Sequence, residues 1–387
     1  MDLTHTAEVT AFRAQARDWL RAHVPARPLP SLETAEGFAA HREWEGLLAA
    51  DRWSVVSWPE EYGGRGADIV KWLVFEEEYF AAGAPGRVSQ NGINLLAPTL
   101  FDHASPAQRA RVLPPMARGE VIWAQAWSEP ESGSDLASLT SRAERTEGGW
   151  LLSGQKTWSS RAAFADRAFG IFRTEAGTPK PHQGLTYLMF DLRAPGVTVR
   201  PVGRLDGKPA FAELFLDGVF VPDEDVIGEP GQGWRIAMST TGNERGLTLR
   251  SPGRFLAAAD RLTALWRERA DAGESPEGAG AALRDRVADA VIGARAYELF
   301  TWANASRFAA GETIGAESSL NKVFWSEYDI ALHESALDLL GPDAELADGP
   351  WAEPWLFSLA GPIYAGTNEI QRDIIAERLL GLPKGRR

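Results

Sequence analysis

At the stretch Ala126-Trp127-Ser128-Glu129-Pro130-Glu131-Ser132-Gly133-Ser134-Asp135-Leu136, the periodicity of the sequence changes from helical to extended. Serine, glycine and proline are frequent in this stretch, and they favour turns over regular helix or strand. We therefore predict a loop here, with helices before it and a β-sheet after it. Taken alone, such a loop most often only caps and turns the chain.

The part of the chain before the loop has a helical pattern. Val9, Phe12, Ala16 and Leu20 recur at a spacing of three to four residues, which is typical of one buried helix face. A proline and paired glycines within residues 58–64 interrupt the pattern, because they disfavour helix. We predict an amino-terminal α-helical domain over residues 1–120.

The part after the loop alternates with a period of two. Short runs of apolar and polar residues end at turn-forming pairs such as Gly148-Gly149 and Asp217-Gly218. The predicted strands cover residues 150–152, 168–172, 185–190, 197–202 and 213–221. Short strands between tight turns favour antiparallel pairing. We predict a middle antiparallel β-barrel domain over residues 121–232.

Helical periodicity returns after residue 232. One predicted face carries Phe255, Ala259, Leu262 and Trp266, and similar apolar faces follow in two later helices. Residues 271–281 are small and polar, so we predict an interhelical loop there. We predict a carboxy-terminal four-helix bundle over residues 233–387, which makes the chain an α+β multidomain protein.

The last predicted helix begins at Thr367, whose hydroxyl can accept hydrogen bonds from the N–H groups that follow it. Ile370 and Ile374 are predicted to form its buried face, and Gly381 to end it. A helix amino terminus has unpaired N–H groups and a partial positive charge. It therefore favours a phosphate or an enolate oxygen.

The composition argues against several classes of protein. The 387 residues carry a formal net charge of −13 and no basic run with interleaved aromatics, so nucleic acid is not a predicted partner. The absence of cysteine excludes disulfides, iron–sulfur clusters and thiolate zinc sites. Neither a membrane span of about 18 apolar residues nor a secretory signal is predicted. We expect a cytoplasmic protein that binds anionic ligands through local donors.

Motif spacing argues against metal and common nucleotide sites. The six histidines form no pair at helical ligand spacing, so no metal site is predicted. The glycines of residues 228–233 fit neither the dinucleotide fingerprint nor the phosphate-binding loop of NTPases. No Gly-x-Ser-x-Gly element is present for a serine nucleophile. Catalysis must therefore use other oxygen or nitrogen groups, or a bound cofactor.

Three segments in this order resemble the acyl-CoA dehydrogenases. They are the loop 126–136, the segment Gly154-Gln155-Lys156-Thr157-Trp158-Ser159-Ser160, and the segment Tyr364-Ala365-Gly366-Thr367-Asn368-Glu369-Ile370-Gln371-Arg372. Similarity at residues 58–64, 220–222, 227–229 and 376–378 extends the resemblance over nearly the whole chain. It implies FAD between the β-domain and the helical bundle, and dehydrogenation of an acyl-CoA thioester between its α and β carbons.

The resemblance also implies which residues bind FAD. In this family, the loop matching Trp127, Ser128 and Ser134 donates hydrogen bonds to the flavin pyrimidine edge and the pyrophosphate. Trp158 resembles the aromatic that covers the isoalloxazine ring, and Ser160 the hydroxyl near flavin N5. An ordinary core aromatic is the alternative for Trp158. The full set implied to bind FAD is Gln125, Trp127, Ser128, Gly133, Ser134, Trp158, Ser160, Thr367 and Glu369.

The expected general base departs from the usual family pattern. Many members carry a carboxylate directly after the tyrosine of the last motif, where this chain has Ala365, which cannot take a proton. Some relatives carry their glutamate on the first long helix of the bundle, and Glu244 matches that place. We therefore predict Glu244 as the base. The alternative is a solvated helix charge paired with Arg245.

The residues implied to contact the substrate are Ser134, Arg245, Ala365 and Gly366. The backbone N–H of Ala365 is retained whatever the side chain. With a flavin ribityl hydroxyl, it can hold the thioester oxygen as that atom gains negative charge. Arg245 is predicted to orient the base or the ligand, with a structural salt bridge as the alternative.

The assembly and the electron acceptor leave several alternatives open. The Arg-x-x-Phe-Gly element that the family often shows is not found before Leu283, and the usual glycine pair reads Gly341-Pro342. A homodimer, a homotetramer and a mixed tetramer are all compatible with this, and electron-transfer flavoprotein is the implied electron acceptor. A flavin-carrying partner subunit of a mixed oligomer and a flavin-dependent oxygenase are the competing hypotheses. Fatty and sterol-like acyl groups both fit.

Overall fold

The computed structural model describes residues 4–245, 251–271, 280–312, 315–345 and 349–385, and for residues 242–245 the backbone alone. The chain divides into two compact units. The bundle unit comprises Met1–Pro25, Ala67–Ala84 and Arg245–Arg387, and the sheet unit comprises Ala26–Gly66 and Pro85–Glu244. Most of the predicted interhelical loop 271–281 lies outside the described residues.

Helices occupy both ends of the chain. Several begin at a hydroxyl side chain: Thr6, Thr34 and Ser105 each accept a hydrogen bond from a backbone N–H of the first turn. The described α-helices are α1 (Ala7–His23), α2 (Ala35–Ala50), α3 (Ile69–Ala81), α4 (Ala97–His103), α5 (Pro106–Ala117), α6 (Gly233–Arg245), α7 (Pro252–Asp271), α8 (Gly280–Ala309), α9 (Glu317–Leu340), α10 (Ala352–Ser358) and α11 (Asn368–Ile374). Five-residue π-helical turns cover Gly92–Leu96 and Ile375–Leu379.

The sheet unit contains one mixed β-sheet. Its strands are β1 (Trp123–Ala126), β2 (Arg142–Thr146), β3 (Gly149–Ser160), β4 (Arg167–Arg173), β5 (Leu185–Asp191), β6 (Val197–Val202), β7 (Phe211–Pro222) and β8 (Val226–Ile227). The strand order is β6-β7-β3-β2-β4-β5-β8, and β1 pairs with β4. The predicted β-domain between two helical regions is therefore confirmed.

Most of the strand pairs are antiparallel, as the turn signals predicted, but β4 also has parallel partners. Strand β1 runs parallel to β4 from Trp123 opposite Arg167 to Ala126 opposite Gly170, and β2 adds one parallel pair. A parallel pair needs a long crossover, and the segment between β1 and β4 supplies it. This crossover contains the loop 126–136, whose residues therefore start at the end of β1, a mostly buried strand.

The core of the sheet unit fills one continuous apolar layer. It includes Leu152, Phe172, Leu188, Leu214 and Val219, each essentially removed from water. These residues come from four different strands. Strands β3 and β7 largely alternate buried and more exposed positions, as in a half-buried sheet, whereas β4 and β5 are buried along almost their whole length. Burial of this apolar surface stabilises the sheet from which the loop 126–136 extends.

The bundle unit is built on α7, α8 and α9. Tyr328 of α9 donates its hydroxyl hydrogen to the Ala290 carbonyl oxygen, and Gly293 of α8 leaves room for its ring. Helix α3 packs against α7 at Gly253, where an added Cβ would lie 2.7 Å from the Glu76 carbonyl oxygen. The predicted helical carboxy-terminal region is thereby confirmed. None of the described helices has both the length and the apolar composition that a bilayer crossing requires.

The start of the last helix was predicted correctly, but its buried face was not. Thr367 accepts a hydrogen bond from the Ile370 N–H at 3.3 Å, as predicted for a capping hydroxyl. Asn368 and Gln371 are the buried residues of α11, whereas Ile370 and Ile374 are only partly buried. The prediction was wrong because the buried side of α11 meets polar partners on α9 instead of an apolar core.

Candidate active site

Two of the motif segments meet at the end of β1. The Thr157 N–H donates to the Ser128 carbonyl oxygen at 2.8 Å, and Lys156 Nζ donates to the Trp127 carbonyl oxygen at 3.2 Å. These bonds hold the start of the loop 126–136 beside the last residues of β3. The structure therefore brings Trp127 and Ser128 next to the segment that carries Trp158.

Trp158 is exposed to solvent and is not a core aromatic. The ladder between β3 and β7 shifts register between Lys156 and Ser159, and Trp158 lies in this bulge with φ +57°. Its exposure is 62%, and its ring meets Phe211 edge-on at 5.7 Å between centroids. A left-handed conformation costs an L-residue about 1–2 kcal/mol, and such strain concentrates at functional sites. An exposed indole held in this way is suited to cover a planar ligand.

The structure places the other sheet-unit residues implied to bind the cofactor in β1, in the loop 126–136 and at the end of β3. Gln125 lies in β1 opposite Phe169 of β4 and is half-buried, as is Ser160 at the end of β3. Gly133 and Ser134 lie in an exposed part of the loop 126–136. The loop is closed by paired backbone hydrogen bonds between Glu129 and Ser132 at 2.8 and 3.1 Å.

A buried ion pair joins the loop 126–136 to β3, and it was not predicted from the sequence. Lys156 Nζ donates to Glu129 Oε1 at 2.8 Å and to the Ile171 carbonyl oxygen at 2.9 Å. The side chains are 0% and 4% exposed respectively for Lys156 and Glu129. Period-two alternation from Trp150 and Leu152 predicts an inward side chain at residue 156, and this was the available signal.

Glu129 also binds the chain that follows the loop. Its carboxylate accepts hydrogen bonds from the N–H and hydroxyl of Thr140 and from the N–H of Ser141. Burial alone would raise the pKa of Glu129, but the Lys156 ammonium and these hydrogen bonds lower it to about 2. Burial lowers the pKa of Lys156 to about 8, with Glu129 acting in the opposite direction. Both groups are thus charged at neutral pH.

Helix α6 is anchored to the sheet one turn before Glu244. The buried Thr240 hydroxyl is 2.7 Å from the Thr99 hydroxyl and 3.4 Å from the Tyr187 hydroxyl. The Tyr187 ring meets Trp127 edge-on at 6.1 Å. Residues four apart share one helix face, so the backbone of α6 puts Glu244 on the face that Thr240 turns toward Tyr187. The side chains of Glu244 and Arg245 lie outside the described part of the chain.

In the bundle unit, the turn before α11 contains two consecutive left-handed residues. Ala365 has φ +56° and Gly366 has φ +79°. Gln371 Nε2 donates to the Ala365 carbonyl oxygen at 3.0 Å. Among the described residues, no hydrogen bond uses the N–H of Ala365, Gly366 or Thr367. The turn thus presents successive free N–H donors, an arrangement that favours a negatively charged oxygen.

Glu369 lies on the exposed side of α11, directly after the buried Asn368. Hydrogen bonds from its own N–H and from the Thr367 hydroxyl lower the pKa of Glu369. Thr367 and Glu369, like Ala365 and Gly366, belong to the bundle unit. Thr367 and Glu369 are thus linked to each other through the Thr367 hydroxyl, which also caps the helix.

Gly366→Ala is expected to destabilise the bundle unit by about 1–2 kcal/mol, because alanine is strained in the left-handed region. The new Cβ would also lie 2.5 Å from Gln371 Nε2 and displace it from Ala365. Ala365→Gly is the matched control, and it should leave stability unchanged or raise it, because it removes strain at the neighbouring residue. Thermal unfolding of both variants checks the prediction. An equal effect of the two substitutions would contradict it.

Three family models match the chain. The models for the acyl-CoA dehydrogenase N-terminal, middle and C-terminal domains cover residues 6–120, 124–219 and 231–380. Acyl-CoA dehydrogenase IpdE1 of Mycobacterium tuberculosis is 37% identical over 389 residues, which cover 97% of this chain and 98% of the relative.

Two solved structures are similar to the whole chain. The ChsE4-ChsE5 complex from Mycobacterium tuberculosis superposes with a TM-score of 0.86 at 28% identity and covers 100% of both chains. The Tcur3481-Tcur3483 steroid ACAD superposes with a TM-score of 0.83 at 25% identity, again over 100% of both chains.

Proposed function

Because this chain belongs to the acyl-CoA dehydrogenase family, we propose that it introduces a double bond between the α and β carbons of an acyl-CoA thioester, with Glu244 as the base and FAD as the cofactor. The overall reaction removes a proton from the α carbon and a hydride from the β carbon. The family makes the chain an oxidoreductase. The base, the cofactor contacts and the acyl group are the proposed part.

The residues at the bulge of β3 fit a flavin. An exposed indole at Trp158 offers a flat apolar face. Ser128, whose carbonyl oxygen accepts from the Thr157 N–H, and Ser160, two residues after Trp158, offer hydroxyls nearby, and Ser134 offers a third from the exposed part of the loop. Trp127 Nε1 is buried without a hydrogen-bond partner among the described residues, so its N–H is available to donate to a ligand. When bound, FAD would accept the hydride from the β carbon.

One observation carries the assignment of the base, namely the chain of contacts from α6 to the loop 126–136. Thr240, one turn before Glu244, contacts the Tyr187 hydroxyl, and the Tyr187 ring packs on Trp127. These contacts fix the helix of Glu244 against Tyr187 of β5, whose ring meets Trp127 of the proposed flavin loop. A carboxylate on that helix face can remove an α-proton from a thioester held beside the flavin.

The turn at Ala365 supplies the proposed partner of the thioester oxygen. Removing the α-proton moves negative charge onto this oxygen, and a fixed N–H stabilises the charge without becoming charged itself. The Ala365 N–H has no acceptor among the described residues. The small side chain of Ala365 leaves the proton transfer to Glu244.

Two features of similar proteins guide the choice of substrates and partners. One similar structure is a steroid ACAD, so sterol-like acyl groups belong in any substrate panel. Two similar structures contain two differently named chains, which favours a mixed oligomer as a second candidate state for this chain. In that state the chain would carry flavin only with its companion. We propose electron-transfer flavoprotein as the electron acceptor.

The test is an anaerobic titration of the purified chain with straight, branched and sterol-like acyl-CoA esters. Bleaching of the oxidised flavin band by one ester is expected and would identify the acyl class. A yellow protein that no ester bleaches would contradict dehydrogenation and favour the oxygenase hypothesis. A colourless chain that turns yellow only with a companion chain would favour the mixed oligomer.

A further inference from the structure

Gln371 is a fully buried residue of α11 that contacts the turn carrying Ala365. Its exposure is 0%, and its Nε2 donates to the Ala365 carbonyl oxygen at 3.0 Å. Its Oε1 has no partner among the described residues. A buried amide is normally satisfied, so the orientation of this side chain depends on the bond to Ala365. In turn, that bond restrains the peptide group that follows Ala365. This restraint limits the backbone torsion angles of Ala365, and these angles orient the preceding peptide group, which carries the Ala365 N–H.

A second buried group holds the start of α11. The Asn368 N–H donates to the Pro362 carbonyl oxygen at 2.9 Å, which closes the turn. Asn368 Oδ1 accepts from Lys322 Nζ at 2.7 Å and from Ser326 Oγ at 3.1 Å. Lys322 is 1% exposed, so its ammonium group is shielded from water. Its hydrogen bond to Asn368 is charge-assisted and therefore strong. We call Lys322, Ser326, Asn368 and Gln371 the polar anchor.

The polar anchor surrounds a strained turn. Ala365 is not a glycine, and at φ +56° it keeps an unfavourable conformation. Residues hold such a conformation where their surroundings over-determine it, and this strain is often found at functional sites. Asn368 fixes one end of the turn to α9, and Gln371 holds its middle. Without these bonds, Ala365 would relax toward ordinary backbone angles and its N–H would point elsewhere.

We infer that Gln371, supported by Lys322 and Asn368, is a positioning residue that aims the Ala365 N–H at the thioester oxygen. The inference rests on the proposed function, since it needs a thioester at this turn. Ala365 has no carboxylate to act in catalysis, so its proposed contribution depends on the direction of its N–H. In this proposal Gln371 contributes direction only and takes no part in the proton transfer.

The test replaces the Gln371 amide by groups of similar size. Gln371→Leu cannot donate to the Ala365 carbonyl oxygen at any pH. Gln371→Glu donates only while its carboxyl is protonated, which burial favours. Of the charged groups bound to the polar anchor and to each other, Lys322 and Arg372 oppose protonation and Glu327 favours it. We expect the rate of flavin reduction by a saturating ester to fall about tenfold in Gln371→Leu at every pH. In Gln371→Glu, the ratio to wild type should rise from about one tenth near pH 9 to about one half near pH 5.5.

Gln108→Glu is the matched control, because Gln108 is another buried glutamine that donates to backbone carbonyl oxygens, those of Glu224 and Val226. It should alter stability without a pH-dependent change in the rate ratio. Thermal unfolding of every variant at each pH provides a readout that does not depend on activity. If the stability of Gln371→Glu follows pH but its rate ratio does not, Gln371 is merely structural and the inference is wrong.

The outcomes also separate the inference from the proposed function. An active wild type with unaffected Gln371 variants overturns the positioning role and leaves the dehydrogenase proposal intact. A wild type that no ester reduces overturns both. Should Gln371→Leu fail to fold, the pH-dependent ratio of Gln371→Glu still decides the question.

Discussion

Glu244→Gln is expected to slow flavin reduction by the best acyl-CoA ester by about 10²–10⁴-fold, the usual contribution of a general base. Glutamine keeps the size of the side chain but cannot accept the α-proton. Flavin should remain bound with an unchanged visible spectrum, because Glu244 is not among the proposed cofactor contacts. Stopped-flow absorbance at the oxidised flavin band under saturating ester measures the effect directly.

Two further variants make this result specific. Glu229→Gln is the same change on an exposed residue shortly before α6, and it should react at the wild-type rate. The double variant Glu244→Gln with Ala365→Glu restores a carboxylate at the position that many family members use, and it should recover part of the lost rate. Full activity of Glu244→Gln alone would refute the assignment, and the base would have to be sought elsewhere.

Lys156→Met should lower the free energy of unfolding of the sheet unit by about 3–5 kcal/mol, because it leaves the Glu129 carboxylate buried without its counter-ion. The lost bonds to Trp127 and Ile171 also release the start of the loop 126–136. We therefore expect weaker flavin binding together with lower stability. Denaturant unfolding followed by tryptophan fluorescence, and flavin retention on gel filtration, measure the two effects.

The control removes both partners of the pair. Lys156→Met with Glu129→Leu should be clearly more stable than Lys156→Met alone, since no charge is then left buried without a partner. Equal destabilisation by the single and the double variant would show that lost packing, not the unpaired charge, causes the effect.

Acid unfolding provides a second test of the interaction between Glu129 and Lys156. The pKa of Glu129 is about 2 in the folded chain, below its ordinary value of 4.5. The folded state therefore favours the charged form, and the stabilisation is complete above pH 4.5 and is lost as pH falls toward 2. Glu129→Gln lacks this contribution, so the stability difference between wild type and variant should shrink over that range. A difference that does not change with pH would contradict the lowered pKa.

The order of elements could be predicted from periodicity and turn chemistry. Alternation and paired turn residues located β3 to β7, whereas β1, β2 and β8 were not predicted. The capping threonine located the start of α11. The extension of β3 to Ser160 was harder to predict, because the bulge between Lys156 and Ser159 breaks the period of two. The exposed position of Trp158 follows from this bulge, which a pattern rule does not contain.

Most of the features that could not be predicted from the sequence involve buried polar residues. Lys156 and Gln371 look like surface residues by type, and charged or amide side chains are seldom fully buried. Their burial depends on partners distant in the chain, such as Glu129 for Lys156. Residue type also led to the wrong buried face for α11. Ile370 and Ile374 were predicted to be buried because they are apolar, but the buried side of α11 carries Asn368, which accepts a hydrogen bond from Lys322.

The two units are interleaved along the chain, and this affects the order in which they can form during synthesis on the ribosome. Every residue of the sheet unit has been made once Glu244 leaves the ribosome. The bundle unit cannot be completed then, because α1 and α3 still await α7, which packs on α3 at Gly253. The side of α3 that meets α7 must therefore stay uncovered while about the last third of the protein is translated, a period in which chaperones or aggregation compete for it.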